Sequence, residues 1–308
     1  TSMGFLIKPA AFGALILAGC LLRHKNILSS NDQKTFSRLV LNITLPAAVI
    51  HSFYGFEKEP SLYLMIAMGF LCSLLPFLAA YCLTGKLNRQ DRMFTMVNIA
   101  GYNIGCFTLP LIQNFFGQTG SVAACMFDTG NAVMMTGGSY ALVTTLLHLD
   151  TGDNGSVQTP VWKRFLGSIP FDTYMLMLVF SSIGIQIPGW LDALLEPVYQ
   201  ANSFLAMLMI GMMLRPVHGS AALRNTMRVI LGRLAFACIF SLSIYHFAPL
   251  SLEMRQVLAV TVFAPVSTLA PIYTEKCKGD TAVSSFTASV SIVIGLFVMS
   301  GLAMWFRL

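Results

Sequence analysis

The sequence predicts an all-α polytopic membrane protein in which ten transmembrane helices form two inverted five-helix repeats. Three observations lead to this fold class. The 308 residues are 56% hydrophobic and 10% charged, whereas a soluble domain carries about 25% charged residues. Ten apolar segments are long enough to cross a bilayer, which takes about 20 residues in a helix. One polar linker divides these segments into two groups of five.

The ten segments, numbered in chain order, have approximate bounds. They cover roughly residues 4–22, 33–55, 61–84, 93–116, 120–148, 169–186, 190–214, 222–247, 252–276 and 280–305. The first repeat is therefore residues 4–148, the cytoplasmic linker is 149–168, and the second repeat is 169–308. Residues 1–3, Thr-Ser-Met, are interpreted as a vector-derived remnant outside the fold.

The basic residues predict how the chain crosses the membrane. Fourteen of the 19 Lys and Arg residues lie in or beside the loops that follow segments 1, 3, 5, 7 and 9. The positive-inside rule places these loops in the cytoplasm and both termini outside it, in a cell (inner or plasma) membrane. Five is an odd number, so the second repeat must run inverted relative to the first. Basic residues confined to short loops give no reason to expect a nucleic-acid partner.

Segments 4 and 9 each contain residues that weaken a helix. The stretch Asn98–Pro110 holds two asparagines, two glycines and a proline, and Ala264–Pro271 holds two prolines. Interrupted spans at corresponding places in two repeats point to a transporter's binding site. If the breaks cross, the half-helix N-termini suit an anion such as a carboxylate. The alternative is that proline and glycine merely kink two packed helices.

One acidic residue, Asp128, lies well inside a predicted segment, and Asn131 follows on the same helix face. A charged Asp at the centre of a membrane helix costs about 2.5–3.5 kcal/mol, so it is a functional candidate. We expect Asp128 and Asn131 to form a coupling site for a proton or Na⁺. Desolvation of an unpaired carboxyl favours the proton. The alternative is a structural hydrogen bond to the broken backbone of segment 4.

The sequence favours no enzyme class. It has no His-Glu-x-x-His, no Gly-x-Ser-x-Gly, no Walker loop and no Gly-x-Gly-Asp of an intramembrane aspartyl protease. Without an ATP site, any pumping would be secondary transport, and no metal or cofactor is expected beyond the coupling proton or Na⁺. Arg233 in segment 8 is expected either to extend towards the interface or to neutralise a substrate carboxylate or Asp128.

Four stretches of this chain resemble the auxin efflux carrier family of membrane transporters. The stretches are Asn103–Pro110, Asn42–Pro46, Phe127–Asn131 and Pro265–Pro271 running on to Ser289 and Ser291. The resemblance implies a fold like that of bile-acid and sodium/proton transporters. It further implies a scaffold of segments 1, 2, 6 and 7, a moving transport domain of segments 3–5 and 8–10, a homodimer and an elevator-type motion. Thr108 replaces the glycine of many members, and the short central loop favours a bacterial carrier.

The predicted function is secondary transport of a small organic anion, with the lipid bilayer as its surroundings. The predicted substrate site comprises Asn98, Asn103, Gly105, Thr108, Pro110, Pro265, Ser267, Thr268, Pro271 and Asn42. Two alternatives remain open. One is a sodium-coupled symporter of the bile-acid or sterol type, and the other is a membrane sensor that binds a ligand without moving it.

Overall fold

The computed structural model describes residues 2–56, 59–149, 169–214 and 219–307, and within these ranges the chain is helical. The helices are α1 Ser2–His24, α2 Ser30–Leu39, α3 Leu45–Ser52, α4 Ser61–Leu83, α5 Arg89–Ile99, α6 Leu109–Val133, α7 Ser139–Leu146, α8 Ile169–Ile183, α9 Gly189–Met213, α10 Ser220–Phe247, α11 Leu252–Thr261, α12 Ala270–Lys276 and α13 Thr281–Arg307. The described residues contain no β-strand. The all-α prediction is therefore confirmed for this part of the chain.

Four of these helices, α4, α9, α10 and α13, are long and apolar enough to cross a membrane unaided. Ala10–His24 of α1 and α8 are shorter apolar helices. The other predicted segments consist of helices interrupted by non-α backbone, and the interruption shortens each piece. The arrangement as ten spans in two inverted repeats stays a prediction. The linker 149–168, apart from Leu149, and Thr1 of the predicted remnant lie outside the described residues.

Three helical segments are interrupted by single π-helical turns. These turns cover Val40–Thr44 between α2 and α3, Ile104–Thr108 before α6, and Met134–Gly138 between α6 and α7. A further bend lies within α6 at Gly117, whose φ of 65° and ψ of −152° are not helical. This bend separates predicted segments 4 and 5. π-Helical turns occur often at functional sites.

A capping box starts α2, ahead of predicted segment 2. The Ser29 side chain accepts a hydrogen bond from the backbone N–H of Asp32, and the Asp32 carboxylate accepts bonds from the Ser29 backbone N–H and hydroxyl, each at 2.7 Å. Those two donors hold the pKa of Asp32 below its usual value. Ser29 and Asp32 are three residues apart, which is the spacing of a capping box.

Glycines bring the long helices into backbone contact at two places. Gly69 of α4 and Gly130 of α6 leave no room for a side chain, since a Cβ at either position would lie 1.9 Å from a carbonyl oxygen of the facing helix. Gly19 of α1 and Gly211 of α9 have the same role, with distances of 2.1 and 2.0 Å. Small residues allow membrane helices to approach closely. These contacts hold α6, with Asp128, tightly against α4.

Gly130→Ala is expected to destabilise the protein by about 1–3 kcal/mol, the usual cost of overpacking. The new Cβ would lie 1.9 Å from the Ile66 carbonyl oxygen and 2.6 Å from the Phe70 nitrogen, so α4 and α6 must separate. Gly301→Ala is the matched control, because a Cβ on Gly301 of α13 meets nothing within 4 Å. Thermal unfolding in detergent measures the difference. Equal melting temperatures for the two variants would contradict the packing argument.

Candidate functional site at the crossing of two broken segments

The break in segment 4 is four residues long. Helix α5 ends at Ile99, and Ala100–Asn103 are non-helical before the π-helical turn begins at Ile104. Gly101 has a φ of 77°, in the left-handed region that favours glycine. Pro110 lies in the first turn of α6. The π-helical turn leads directly into this helix, because the Leu109 N–H donates to the Ile104 carbonyl, so Pro110 lies in the helical path and not in the break.

The break in segment 9 is longer, and like the first break it lies between two helices, the second of which has a proline in its first turn. Helix α11 ends at Thr261, α12 begins at Ala270, and Pro271 lies in the first turn of α12. Of the prolines predicted to interrupt this segment, Pro265 lies in the non-helical backbone and Pro271 starts the next helix.

The two breaks cross and pair with each other. Tyr102 and Val266 form an isolated antiparallel bridge. The Asn103 backbone N–H donates to the Pro265 carbonyl at 2.9 Å, and the Val266 N–H donates to the Ser291 hydroxyl of α13 at 2.9 Å. The pairing satisfies backbone groups that have no water partner in a membrane interior.

Asn131 of α6 supplies the other edge of this crossing. Its side chain accepts from the Tyr102 N–H and donates to the Tyr102 carbonyl, both at 2.9 Å. The Asn131 amide thus forms the two backbone hydrogen bonds that a neighbouring β-strand would form. The Asn131 oxygen also accepts from the Ser73 hydroxyl at 3.0 Å, and its amide donates to Asp128 at 2.8 Å. The carboxylate of Asp128 therefore reaches the broken backbone through Asn131.

Asp128 has a second partner that the sequence did not indicate. The Tyr174 hydroxyl of α8 donates to the other carboxylate oxygen at 2.7 Å. Both side chains are buried, Asp128 at 3% and Tyr174 at 2% exposure. Helix α6 belongs to the predicted transport domain and α8 to the predicted scaffold, so this hydrogen bond joins the two predicted parts.

Arg233 of α10 binds the two breaks from a third side. Its guanidinium donates to the carbonyls of Ile99 and Gly101 at 2.7 and 2.8 Å, and to those of Ala264 and Pro265 at 2.9 and 3.1 Å. The guanidinium carbon also lies 4.7 Å from the centre of the Tyr102 ring. The expectation that Arg233 extends to the interface or neutralises Asp128 is wrong, because its donors are engaged by backbone carbonyls.

A cavity of about 200 Å³ lies beside the crossing. Its polar lining comes from Asn103, Asp128, Asn42, Thr136 and Thr268, and its apolar lining includes Leu45, Ile104 and Phe171. The side-chain nitrogen of Asn103 has no hydrogen-bond partner, although Asn103 is only 3% exposed. A buried donor without a partner costs about 1–3 kcal/mol.

A second cavity, of about 510 Å³, adjoins the first and shares Leu41, Cys106, Thr268 and Leu269 with it. One wall carries Lys34 and Arg38 of α2, both exposed. Another wall carries Pro271 and Glu275 of α12. The basic end of α2 is the end that the charge distribution predicts to be cytoplasmic.

The structure brings together only part of the predicted substrate site. Asn42, Asn103, Gly105 and Thr268 line the 200 Å³ cavity, and Thr268 and Pro271 line the larger one. The other predicted residues border neither of these cavities; they are Asn98, Thr108, Pro110, Pro265 and Ser267.

Three of these residues have structural partners instead. Asn98 donates to the Thr274 hydroxyl at 3.1 Å and accepts from the Ser284 hydroxyl, which ties α5 to α12 and α13. The Thr108 hydroxyl donates to the Asn103 carbonyl at 3.0 Å within the π-helical turn. The Ser267 hydroxyl accepts from the Leu269 N–H at 3.2 Å within the second break.

Part of this chain is similar to known membrane proteins. Residues 12–151 match the model of a family described as membrane transport protein. An uncharacterized transporter from Methanothermobacter thermautotrophicus is 26% identical over 165 residues, which make up 50% of this chain and 53% of that protein. The chain thus spans about half the length of this curated relative. The matched residues 12–151 include the first break, Asp128 and Asn131, so this part of the chain is similar to the membrane transport protein family.

Proposed function

We propose that the protein is a secondary transporter that moves a small organic anion by elevator-type alternating access. The observation that carries this proposal is the buried, unpartnered side-chain nitrogen of Asn103, a residue that lines a cavity at the crossing of two broken segments. The family match and the relative named as a transporter support membrane transport in general. The substrate and the elevator motion are our inference, as are the homodimer and the extracytoplasmic termini.

The chemistry of the cavity favours a carboxylate with an apolar body. The Asn103 amide offers a donor, and Ile104, Gly105 and Cys106 line the cavity where the helical path towards α6 begins. The first backbone N–H groups of a helix lack intrahelical partners and carry partial positive charge. Leu41, Leu45 and the other apolar side chains would contact the body of the substrate. An inorganic anion would leave that apolar lining without a partner.

Asp128 shares this cavity, and we propose that it couples transport to protons. A substrate carboxylate beside an ionised Asp128 would be repelled, whereas the protonated side chain removes the repulsion. Asn131 would be a poor Na⁺ ligand, because its oxygen already accepts hydrogen bonds from Tyr102 and Ser73. The proton is therefore the favoured coupling ion.

The hydrogen bond from Tyr174 to Asp128 gives this coupling a mechanical step. A hydrogen bond to a charged carboxylate is about twice as strong as one between neutral groups. Protonation of Asp128 would weaken the link between the predicted scaffold and the predicted transport domain. Proton binding and substrate binding would then both favour the state in which the predicted transport domain can move relative to the scaffold.

Proteoliposome uptake of labelled carboxylic acids tests the proposed function. Asn103→Ala is expected to raise KM by about 10–100-fold, because a hydrogen bond to a charged group contributes about 1.5–3 kcal/mol. Asn31→Ala replaces an exposed amide of α2 and should leave uptake unchanged. Normal uptake by Asn103→Ala would exclude the crossing as the substrate site.

The same assay separates the alternatives. A strict requirement for a Na⁺ gradient would indicate a sodium-coupled symporter of the bile-acid or sterol type. Ligand binding with no counterflow of labelled acid would indicate a sensor. Uptake driven by a pH gradient and unaffected by Na⁺ would support the proposed function.

A further inference from the structure

The crossing concentrates negative potential at one point. Ile99 is the last residue of α5 and Gly101 lies in the break that follows it, and Ala264 and Pro265 lie in the break that follows α11. The last carbonyls of a helix have no intrahelical partner and carry partial negative charge. The ends of α5 and α11 meet here, and both belong to segments that are predicted to lie within the bilayer. Without a cation the four carbonyl oxygens would face one another with few donors.

Carbonyl oxygens in this arrangement are typical ligands of a free cation. Unwound backbone carbonyls and half-helix C-terminal ends coordinate Na⁺ in broken-helix transporters. Here the positive charge comes from the chain itself, since Arg233 donates to all four carbonyls at 2.7–3.1 Å. Arginine remains charged in proteins and offers five donors in a planar fork.

No acidic side chain pairs with Arg233 among the described residues, where the ion pairs are His51–Asp192 and Arg307–Glu253. Arg233 is buried, with a relative exposure of 9%. Its charge is therefore balanced by carbonyl dipoles and by the Tyr102 ring at 4.7 Å. A void of about 20 Å³ borders Arg233, Ala264 and Pro265. Truncation of Arg233 would enlarge this void into a carbonyl-lined site for a small cation.

We propose that Arg233 is a built-in cation that occupies a carbonyl cage in place of a free monovalent cation and makes the cycle independent of Na⁺. The guanidinium holds the C-terminal ends of α5 and α11 together while the protein moves. Arg233 does not line the substrate cavity, so it is a positioning residue. The inference rests on the proposed transport function only for its uptake measurements.

The first test is chemical rescue of Arg233→Ala. The variant is expected to melt at a lower temperature than the wild type, and guanidinium or Na⁺ at concentrations far below denaturing ones should raise its melting temperature but not that of the wild type. Arg228→Ala is the control, since Arg228 lies on the same helix and donates to Asn225 at 2.9 Å. This readout needs no substrate. Absence of any cation effect on Arg233→Ala would overturn the inference even if transport is normal in the wild type.

The second test is uptake, and it separates charge from packing. Wild-type uptake should be equal in Na⁺ and choline media, and Arg233→Met should lose about tenfold or more of the maximal rate. Arg233→Lys keeps the charge but has a smaller donor set, so it should retain more of the maximal rate with an unchanged KM. Strict Na⁺ dependence of the wild type, or equal losses for Lys and Met, would overturn the inference. Failure of every acid to be taken up by the wild type would instead contradict the proposed function.

Discussion

Asn131→Ala is expected to abolish transport and to lower stability more than any other single change of a polar side chain in α6. The substitution leaves the N–H and carbonyl of Tyr102 without their side-chain partner and removes bonds to Ser73 and Asp128. Each buried group left unsatisfied costs about 1–3 kcal/mol. With both Tyr102 groups unpaired, the first break can no longer hold its position against Val266.

A thiol-reactive dye measures this loss directly. Cys72, Cys106, Cys125 and Cys277 are buried free cysteines, and Cys82 and Cys238 are exposed. In a background with both exposed cysteines changed to serine, the dye reports unfolding as the buried thiols become accessible. Gln200→Ala is the control, because Gln200 is an exposed amide that donates to the neighbouring Glu196 on the same helix. A melting temperature of Asn131→Ala equal to that of the control would show that the break does not depend on this side chain.

Asp128→Asn is expected to uncouple uptake from the pH gradient. The amide cannot be ionised, so the hydrogen bond with Tyr174 would no longer change with proton binding. Accumulation driven by a pH gradient should fall to the background level, while counterflow of labelled substrate should persist. Loss of both activities, or full accumulation by Asp128→Asn, would contradict a coupling role.

Tyr174→Phe complements this change, because it removes only the hydroxyl that donates to Asp128 at 2.7 Å. A hydrogen bond to a charged group contributes about 1.5–3 kcal/mol, which corresponds to a shift of about 10–100-fold between the two states of the proposed elevator. Uptake should remain coupled to protons but with a changed maximal rate. A Tyr174→Phe variant with wild-type rates would show that this bond does not hold the two predicted parts together.

The residue pattern predicted where the two helical segments are broken but not the contacts between the breaks. Asparagine, glycine and proline at membrane depth indicated two breaks, and Asp128 was conspicuous as a carboxylate in an apolar segment. The roles of individual prolines were less certain from sequence. Pro110 and Pro271 lie in the first turns of α6 and α12, and proline is favoured in a first turn as well as in a break. Only Pro265, of these three, lies in the non-helical backbone.

The sequence by itself determined the all-helical membrane class, the cap of α2 and the positions of the two breaks. These properties depend on hydropathy, local spacing and backbone propensity, which are readable from neighbouring residues. The tertiary structure decided that Tyr174 would bind Asp128 and that Asn131 would pair with Tyr102. It also decided that Arg233 would bind both breaks and that the side-chain nitrogen of Asn103 would have no partner. These contacts join residues as far as 134 positions apart, and hydrogen bonding over such separations depends on how the helices pack, which no local pattern encodes.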